Sequence, residues 1–195
     1  NWDDYRTNFE HEAARILGHP VTVNGSASAT ILPSPSLTFT DVRVGPPGAP
    51  MMTVDRFEVT IELMPLLQGE IRVTSMRLQR PQGNIAVDET GAIDWLARAA
   101  GSETLDPDKV ALTDVSISDG EVQVADARTG VALTFPGINA TVEARSLAGP
   151  WRVDGSYLDN GTAVPFHLGT GRRLEDRTIR LQADASPARW PIALT

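Results

Sequence analysis

Three imidazoles are available for proton transfer or metal ligation, at His11, His19 and His167. No two of them share a ligand spacing, so they make no metal site. His11 sits among charged neighbours, His19 lies in a Gly-His-Pro helix stop, and His167 stands in a strand between Phe166 and Leu168. Asp3-Asp4 reads as a helix cap, and Asp106/Asp108 and Glu175-Asp176 read as turns without a calcium-loop pattern. Gly169-Thr170-Gly171 reads as a turn and not a phosphate cradle, because no strand-to-helix unit or trailing Lys-Ser/Thr follows. There are no cysteines, hence no thiolate nucleophile, disulfide or Cys-ligated zinc. Trp2, Trp95, Trp151 and Trp190 are far apart in sequence and read as core aromatics. These residues predict no enzyme, no metal and no cofactor.

The charge balance excludes another class. Asp and Glu number 25 against 17 Lys and Arg, a net charge of −8, and no concentrated basic surface is visible. Phosphate recognition needs such a surface, so a nucleic-acid partner is not expected. A chain of 195 residues with 41% hydrophobic content can bury a core. Its Gly 16 and Pro 14 point to many short strands and turns.

What remains is a one-sided sheet. Phe57, Val59, Ile61 and Leu63 alternate with Glu58, Thr60 and Glu62, the period of a strand with one dry face and one wet face. The stretch 64–69 turns the chain; Ile71 and Val73 resume the alternation, and Met76 and Leu78 shift it by one residue, which predicts a bulge near Thr74 and Ser75. Ile138, Ala140, Val142 and Ala144 repeat the pattern, as do Ile179, Leu181 and Ala183. A dry face needs either a second layer against it or a ligand. An acyl chain costs ~0.8 kcal/mol per methylene in water, so a sixteen-carbon tail needs on the order of 12 kcal/mol of shelter. A groove lined by Phe57, Val59, Ile61, Leu63, Ile138, Val142, Ile179 and Leu181 would supply it.

The elements that position this face follow in order. Asp3 or Asp4 opens a helix that runs to Leu17, with Tyr5, Phe9, Ala13, Ile16 and Leu17 on one stripe and Gly18 as its stop. It serves either as a lid at one end of the sheet or as an ordinary packed helix. Strand segments 21–28 and 29–32 break at Asn24-Gly25, a turn dipeptide, and 37–44 is the next strand. Pro81 and Gly83 predict a turn before a short strand at 85–87, and 93–100 a short helix carrying Trp95 and Leu96. The stretch 101–109 reads as a linker. Two weak echoes, Leu37–Val44 with Val110–Ile117 and Leu67–Val73 with Leu147–Val153, suggest a duplicated unit in which Asp114 answers Asp41.

Several of these stretches together resemble the N-terminal region of the AsmA family. The carriers are Ile31 to Val44, Asp55 to Leu63, Pro65 to Val73, and Asp88 with Gly91, Asp94 and Trp95, covering roughly the first hundred residues. The resemblance implies a bacterial envelope protein, periplasmic and anchored in the inner membrane by a transmembrane helix ahead of Asn1. It further implies a role in phospholipid transport and outer-membrane assembly, and a fold related to groove-shaped bridge-like lipid transfer proteins. The expected architecture is mainly β (α+β): a curved, twisted antiparallel sheet forming an open groove or taco, with an N-terminal amphipathic helix and a short helix near 93–100. Residues 1–100 form the helix and first strand group; 110–195 form a second group continuing the same sheet, in a chain expected to be part of a longer protein. The expected partners are phospholipid acyl chains, the membrane and other envelope proteins. The alternative is a scaffold that recruits envelope proteins by strand addition at a sheet edge, without lipid.

Overall fold

The computed structural model describes residues 2–31, 34–62, 64, 73–90, 112–144, 150–170 and 181–185. Helix α1 (Trp2–Leu17) precedes ten strands: β1 (Val21–Val23), β2 (Ala27–Thr30), β3 (Ser36–Val44), β4 (Met52–Ile61), β5 (Val73–Val87), β6 (Leu112–Asp126), β7 (Val131–Ala144), β8 (Trp151–Asp159), β9 (Thr162–Thr170) and β10 (Leu181–Ala185). All belong to one open, curved sheet in the order β1-β3-β4-β5-β6-β7-β8-β9-β10, with β2 also on β3. Among the described residues every pairing is antiparallel except β5 with β6. Parallel neighbours need a crossover, which the chain between Val87 and Leu112 makes.

The helix ends where its sequence says it should. Gly18 adopts φ 69°, and its N–H donates to the Ala14 carbonyl at 2.9 Å. That left-handed cap suits glycine because no Cβ meets the following carbonyl. Phe9, Ala13, Ala14 and Leu17 pack onto Val21, Val23, Phe39, Val42, Val44 and Val54. Phe39 is wholly buried, at 0% exposure, with the Phe9 ring stacked 4.0 Å from it. The other residues read into the apolar stripe, Tyr5 and Ile16, lie outside the described side chains; Asp3 and Asp4, expected as the cap, fall inside the helix, which already begins at Trp2.

The strands are held together by a shared irregularity. Phe39-Thr40-Asp41-Val42, Val54-Asp55-Arg56-Phe57, Leu78-Gln79-Arg80-Pro81 and Ile117-Ser118-Asp119-Gly120 all place two polar residues between two that face the same side. Register aligns them: Val42 faces Val54, Val54 faces Pro81, and Phe39 faces Phe57, which faces Leu78. On the next strand Leu78 pairs with Ile117. Asp41, Arg80 and Asp119 take positive φ of 49°, 47° and 54°, left-handed backbone that absorbs the extra residue. Gly137, at φ 62°, does the same on β7, where Phe135 and Ile138 oppose Val122 and Gly120. On the other side the row reaches Asn24–Ser26, where Asn24 N–H donates to the Asp41 carbonyl at 3.0 Å. Gly25 is required there, since a Cβ would lie 2.5 Å from the Thr40 carbonyl oxygen. This crease runs across the sheet from its first edge to β7. Register between β3, β4, β5 and β6 runs through the crease in equal steps, so the irregularity is shared by neighbouring strands.

Some sequence expectations change accordingly. Pro81 and Gly83 make no turn: β5 runs through both to Val87. Pro81 follows the left-handed Arg80 at the crease and keeps its register place opposite Val54. Asn24-Gly25 joins two segments that run the same way along β3 and so makes no hairpin. Gly169 is a strand residue, paired with Arg152 and with Gln182. Asp119, like Asp41, takes left-handed backbone at the crease, whereas Asp114 is not among the residues with positive φ. The sheet is not antiparallel throughout, since β5 and β6 pair in parallel. The bulge expected near Thr74 is present: Thr60 pairs with Ser75 and Ile61 with Val73, leaving Thr74 as the extra residue. The helix expected at 93–100 and the linker at 101–109 lie outside the described residues.

Substitutions at two positions test this frame. Phe39→Ala empties the most enclosed site under the helix and is expected to lower unfolding free energy by about 3–5 kcal/mol in urea titration. At the crease, Asp119→Val forces a β-branched residue into left-handed backbone and is expected to cost about 1–2 kcal/mol. Asp119→Gly, free of that penalty, should stay within about 1 kcal/mol of the parent.

Candidate functional site

Because the crease corrects the alternation in each strand it crosses, one face of the sheet stays apolar from end to end. Leu37, Phe39, Val42 and Val44 on β3 face Val59, Phe57, Val54 and Met52 on β4. Met76, Leu78, Pro81, Gly83 and Ile85 continue on β5, and Val115, Ile117, Gly120, Val122 and Val124 on β6. Phe135, Ile138, Ala140 and Val142 follow on β7; Val153, Gly155 and Tyr157 on β8; Val164, Phe166 and Leu168 on β9. The opposite face carries Arg43, Asp55, Arg56, Arg77, Arg80, Gln82 and Gln123, all exposed.

The apolar face is covered unequally. Among the described residues α1 is the one element outside the sheet, and it packs beside the first strands. Phe57, expected to line a groove, lies under it with its ring 5.6 Å from Phe9. It is half-buried and packs against the cluster beneath the helix. Val59 is buried and Ile61 half-buried. Farther along, Val142 packs with Val115, Ala144 and Trp151, and Ile138 with Ala140 and Phe166. Both keep part of their surface exposed. Leu63 and Ile179 lie outside the described residues. Leu181 pairs with Thr170 in β10, and its side chain is not among those described.

The register also brings together an aromatic strip that no sequence pattern announces. Phe135 meets Tyr157 edge-on at 5.3 Å, and Tyr157 lies 6.3 Å from Phe166. Gly155, paired with both Ala140 and Phe166, makes room beside them: a Cβ there would lie 2.7 Å from the Ala140 Cβ. The three rings sit 22 and 31 positions apart in the chain, counting from Phe135 to Tyr157 and to Phe166, so only pairing of β7, β8 and β9 unites them.

One charged group sits at the rim of this face. Asp126 is buried at the end of β6, and its carboxylate accepts hydrogen bonds from the Arg128 backbone N–H at 2.9 Å and from the Arg128 guanidinium at 3.2 Å. Those bonds hold its pKa below the ordinary 3.8, outweighing the desolvation that pushes the other way. The arrangement closes the β6–β7 turn. Elsewhere, His167 Nδ1 lies 2.5 Å from Asp154 Oδ1 across β8 and β9, both exposed on the polar face. His19 is buried at 8% exposure, and its Nε2 has no hydrogen-bond partner. Among the described residues no three His, Asp or Glu side chains converge to hold a metal ion. Asp106, Asp108, Glu175 and Asp176 lie outside them. A shallow depression of about 470 Å³ on the polar face is lined by Thr53, Gln82, Asn84, Glu121 and Gln123.

The first sheet edge is blunted against strand addition. The Val23 N–H donates to Glu10 Oε1 at 2.7 Å, and the irregular Asn24–Ser26 interrupts the edge between β1 and β2. A carboxylate on an edge amide and a bulge in an edge strand both remove the template that an incoming strand needs.

The molecule thus defines a class by its geometry: an open, creased, mainly antiparallel sheet, apolar on one face and charged on the other, with a helix over its first strands. The chain matches no protein-family model, no curated protein and no solved structure.

The depressed pKa of Asp126 has a sign that can be checked. Its stabilising contribution is complete above pH 3.8 and is lost as pH falls through the lower folded-state value. Asp126→Asn should therefore be less stable than the parent at neutral pH, with the difference shrinking on acidification. Urea midpoints measured between pH 7 and pH 2.5 read this directly.

Proposed function

We propose that this chain is the periplasmic part of an inner-membrane-anchored envelope protein of the AsmA kind, supporting phospholipid transport and outer-membrane assembly. Bent about its crease, the sheet forms an open groove with the apolar face inside, and acyl chains lie on that face while headgroups stay in water. No residue in this account performs covalent chemistry. The protein is a conduit and not an enzyme.

The observation that carries this reading is the continuity of the apolar face. Across β5 to β9 it stays in phase through four strand-to-strand steps, a width of ~19 Å at ~4.8 Å per step. Its side chains there are mostly half-buried, unlike those beneath α1. Continuity matters because each methylene that leaves apolar surroundings costs ~0.8 kcal/mol. A break in the face would be a barrier to movement along it. The blunted first edge weighs against the scaffold alternative on that side.

A photocrosslinking amino acid placed at Ile138 or Val142 is expected to capture phospholipid, while one at Thr141 on the opposite face is not. Native mass spectrometry of the purified protein should show bound lipid, and Val142→Glu should reduce it by about tenfold or more. Absence of lipid, or equal labelling from both faces, refutes the groove.

A further inference from the structure

The polar face is not uniform. Near the crease its charges answer one another: Arg43 Nε lies 3.0 Å from Asp41 Oδ1, Arg80 Nε 2.6 Å from Asp55 Oδ2, and Arg77 Nη1 3.5 Å from Glu58 Oε1. Beyond Arg80 charge gives way to carboxamides. Register sets Thr53 on β4 beside Gln82 on β5 and Gln82 beside Glu121 on β6, and farther along the same strands Asn84 pairs with Gln123. These side chains border the depression of about 470 Å³. Small-molecule sites span ~300–1,000 Å³.

Its wall is fixed in advance. Ala49 and Pro50 border the depression from the loop between β3 and β4. Pro46, Pro47 and Pro50 restrict φ in that loop, Gly45 and Gly48 take φ of 114° and 86°, and the Ala49 and Met51 N–H groups donate to the Pro46 and Val44 carbonyls at 3.1 and 2.8 Å. The Asn84 N–H donates to the Met51 carbonyl at 2.9 Å, which ties the loop to β5 beside the lining amides. A wall already ordered loses little entropy when a ligand arrives.

The lining narrows the class of ligand. Glu121 is the one charged side chain among the lining residues, and Gln123 Nε2 donates to its Oε1 at 3.3 Å. An anion would be repelled by that carboxylate with no cation in the lining to offset it. Arg43, the cross-strand neighbour of Thr53, is already bonded to Asp41. A peptide cannot add here as a strand, because β4, β5 and β6 are each paired on both edges. An acyl chain would leave the amides and the hydroxyl unpaired. An uncharged molecule with hydroxyls on several sides fits, since each carboxamide offers one acceptor oxygen and two N–H donors and Thr53 offers both from its hydroxyl. Ala49 and Pro50 give the C–H side of a sugar ring an apolar surface. We infer that this depression binds a neutral saccharide, held by Gln82, Asn84, Glu121 and Gln123 against the Pro50 wall. It uses none of the side chains assigned to lipid, so the two readings stand or fall separately.

Saturation-transfer difference NMR of the full chain with maltotriose, cellotriose and triacetylchitotriose tests the inference. At least one of the three should bind with a Kd of about 1 mM or below. Trigalacturonate, which carries carboxylates, should bind more weakly than that neutral sugar. About 0.5 M salt should leave the neutral sugar bound. Gln82→Ala with Gln123→Ala should weaken binding by about tenfold or more. Arg77→Ala, elsewhere on the same face, should leave it unchanged. All three side chains are exposed, so unchanged melting temperatures will show that the variants fold. Binding of none of the three sugars, undiminished binding by the double variant, equal loss in Arg77→Ala, or tighter binding of trigalacturonate overturns the site. A protein that binds sugar as expected yet carries no lipid keeps this site and loses the groove.

Discussion

The rest of the structure depends on keeping one side of the sheet apolar through a bend. A strand alternates its side chains with a period of two, so one extra residue would turn every later side chain to the wrong face. Here the extra residue is matched on each neighbouring strand. Asp41, Arg80 and Asp119 take left-handed backbone at aligned positions, with Asp55 and Arg56 between the first two. Pairing β5 in parallel with β6 preserves the match, because Gln79 pairs with Ser118 and Gln82 with Glu121 in equal steps. An extra residue on one strand alone would break the ladder; matched on its neighbours, it leaves the register intact.

The crease also sorts the charges. Each of its polar pairs faces the solvent side, where Arg80 Nε lies 2.6 Å from Asp55 Oδ2 and Arg43 bonds Asp41 at 3.0 Å. These exposed pairs contribute little to stability. Their consequence is positional: the polar face is dense with charge, so the two faces of the sheet have unlike solvents. The helix then divides the apolar face into two regimes. Under α1, Phe9, Phe39 and Phe57 form a closed aromatic stack. Beyond it, the face is made of half-buried side chains such as Ile138 and Val142.

Several of the described polar groups serve the fold itself, in turns, caps and cross-strand pairs. Asp126 closes a turn, Glu10 caps an edge amide, and Asp154 pairs with His167. Over β5 to β9 the apolar face packs into two small clusters, Val115 and Ala144 with Val142 and Trp151, and Ala140 and Phe166 with Ile138.

Much was legible in the residues themselves. The one-sided alternation of Phe57 to Ile61 and of Ile138 to Ala144, the stripe of α1 with its Gly18 stop, and the slip near Thr74 are local patterns, written in neighbouring positions. The crease was legible only in retrospect, as apolar-polar-polar-apolar quartets that look like turns or strand ends when each is read alone. Pro81 and Gly83 were misread for that reason. Chain order could not say that β5 meets β6 in parallel, that Phe9 claims Phe57, or that Phe135, Tyr157 and Phe166 share one strip. Periodicity determined which side chains would avoid water; long-range pairing decided which met each other, because hydrogen-bond register joins residues that no local pattern connects.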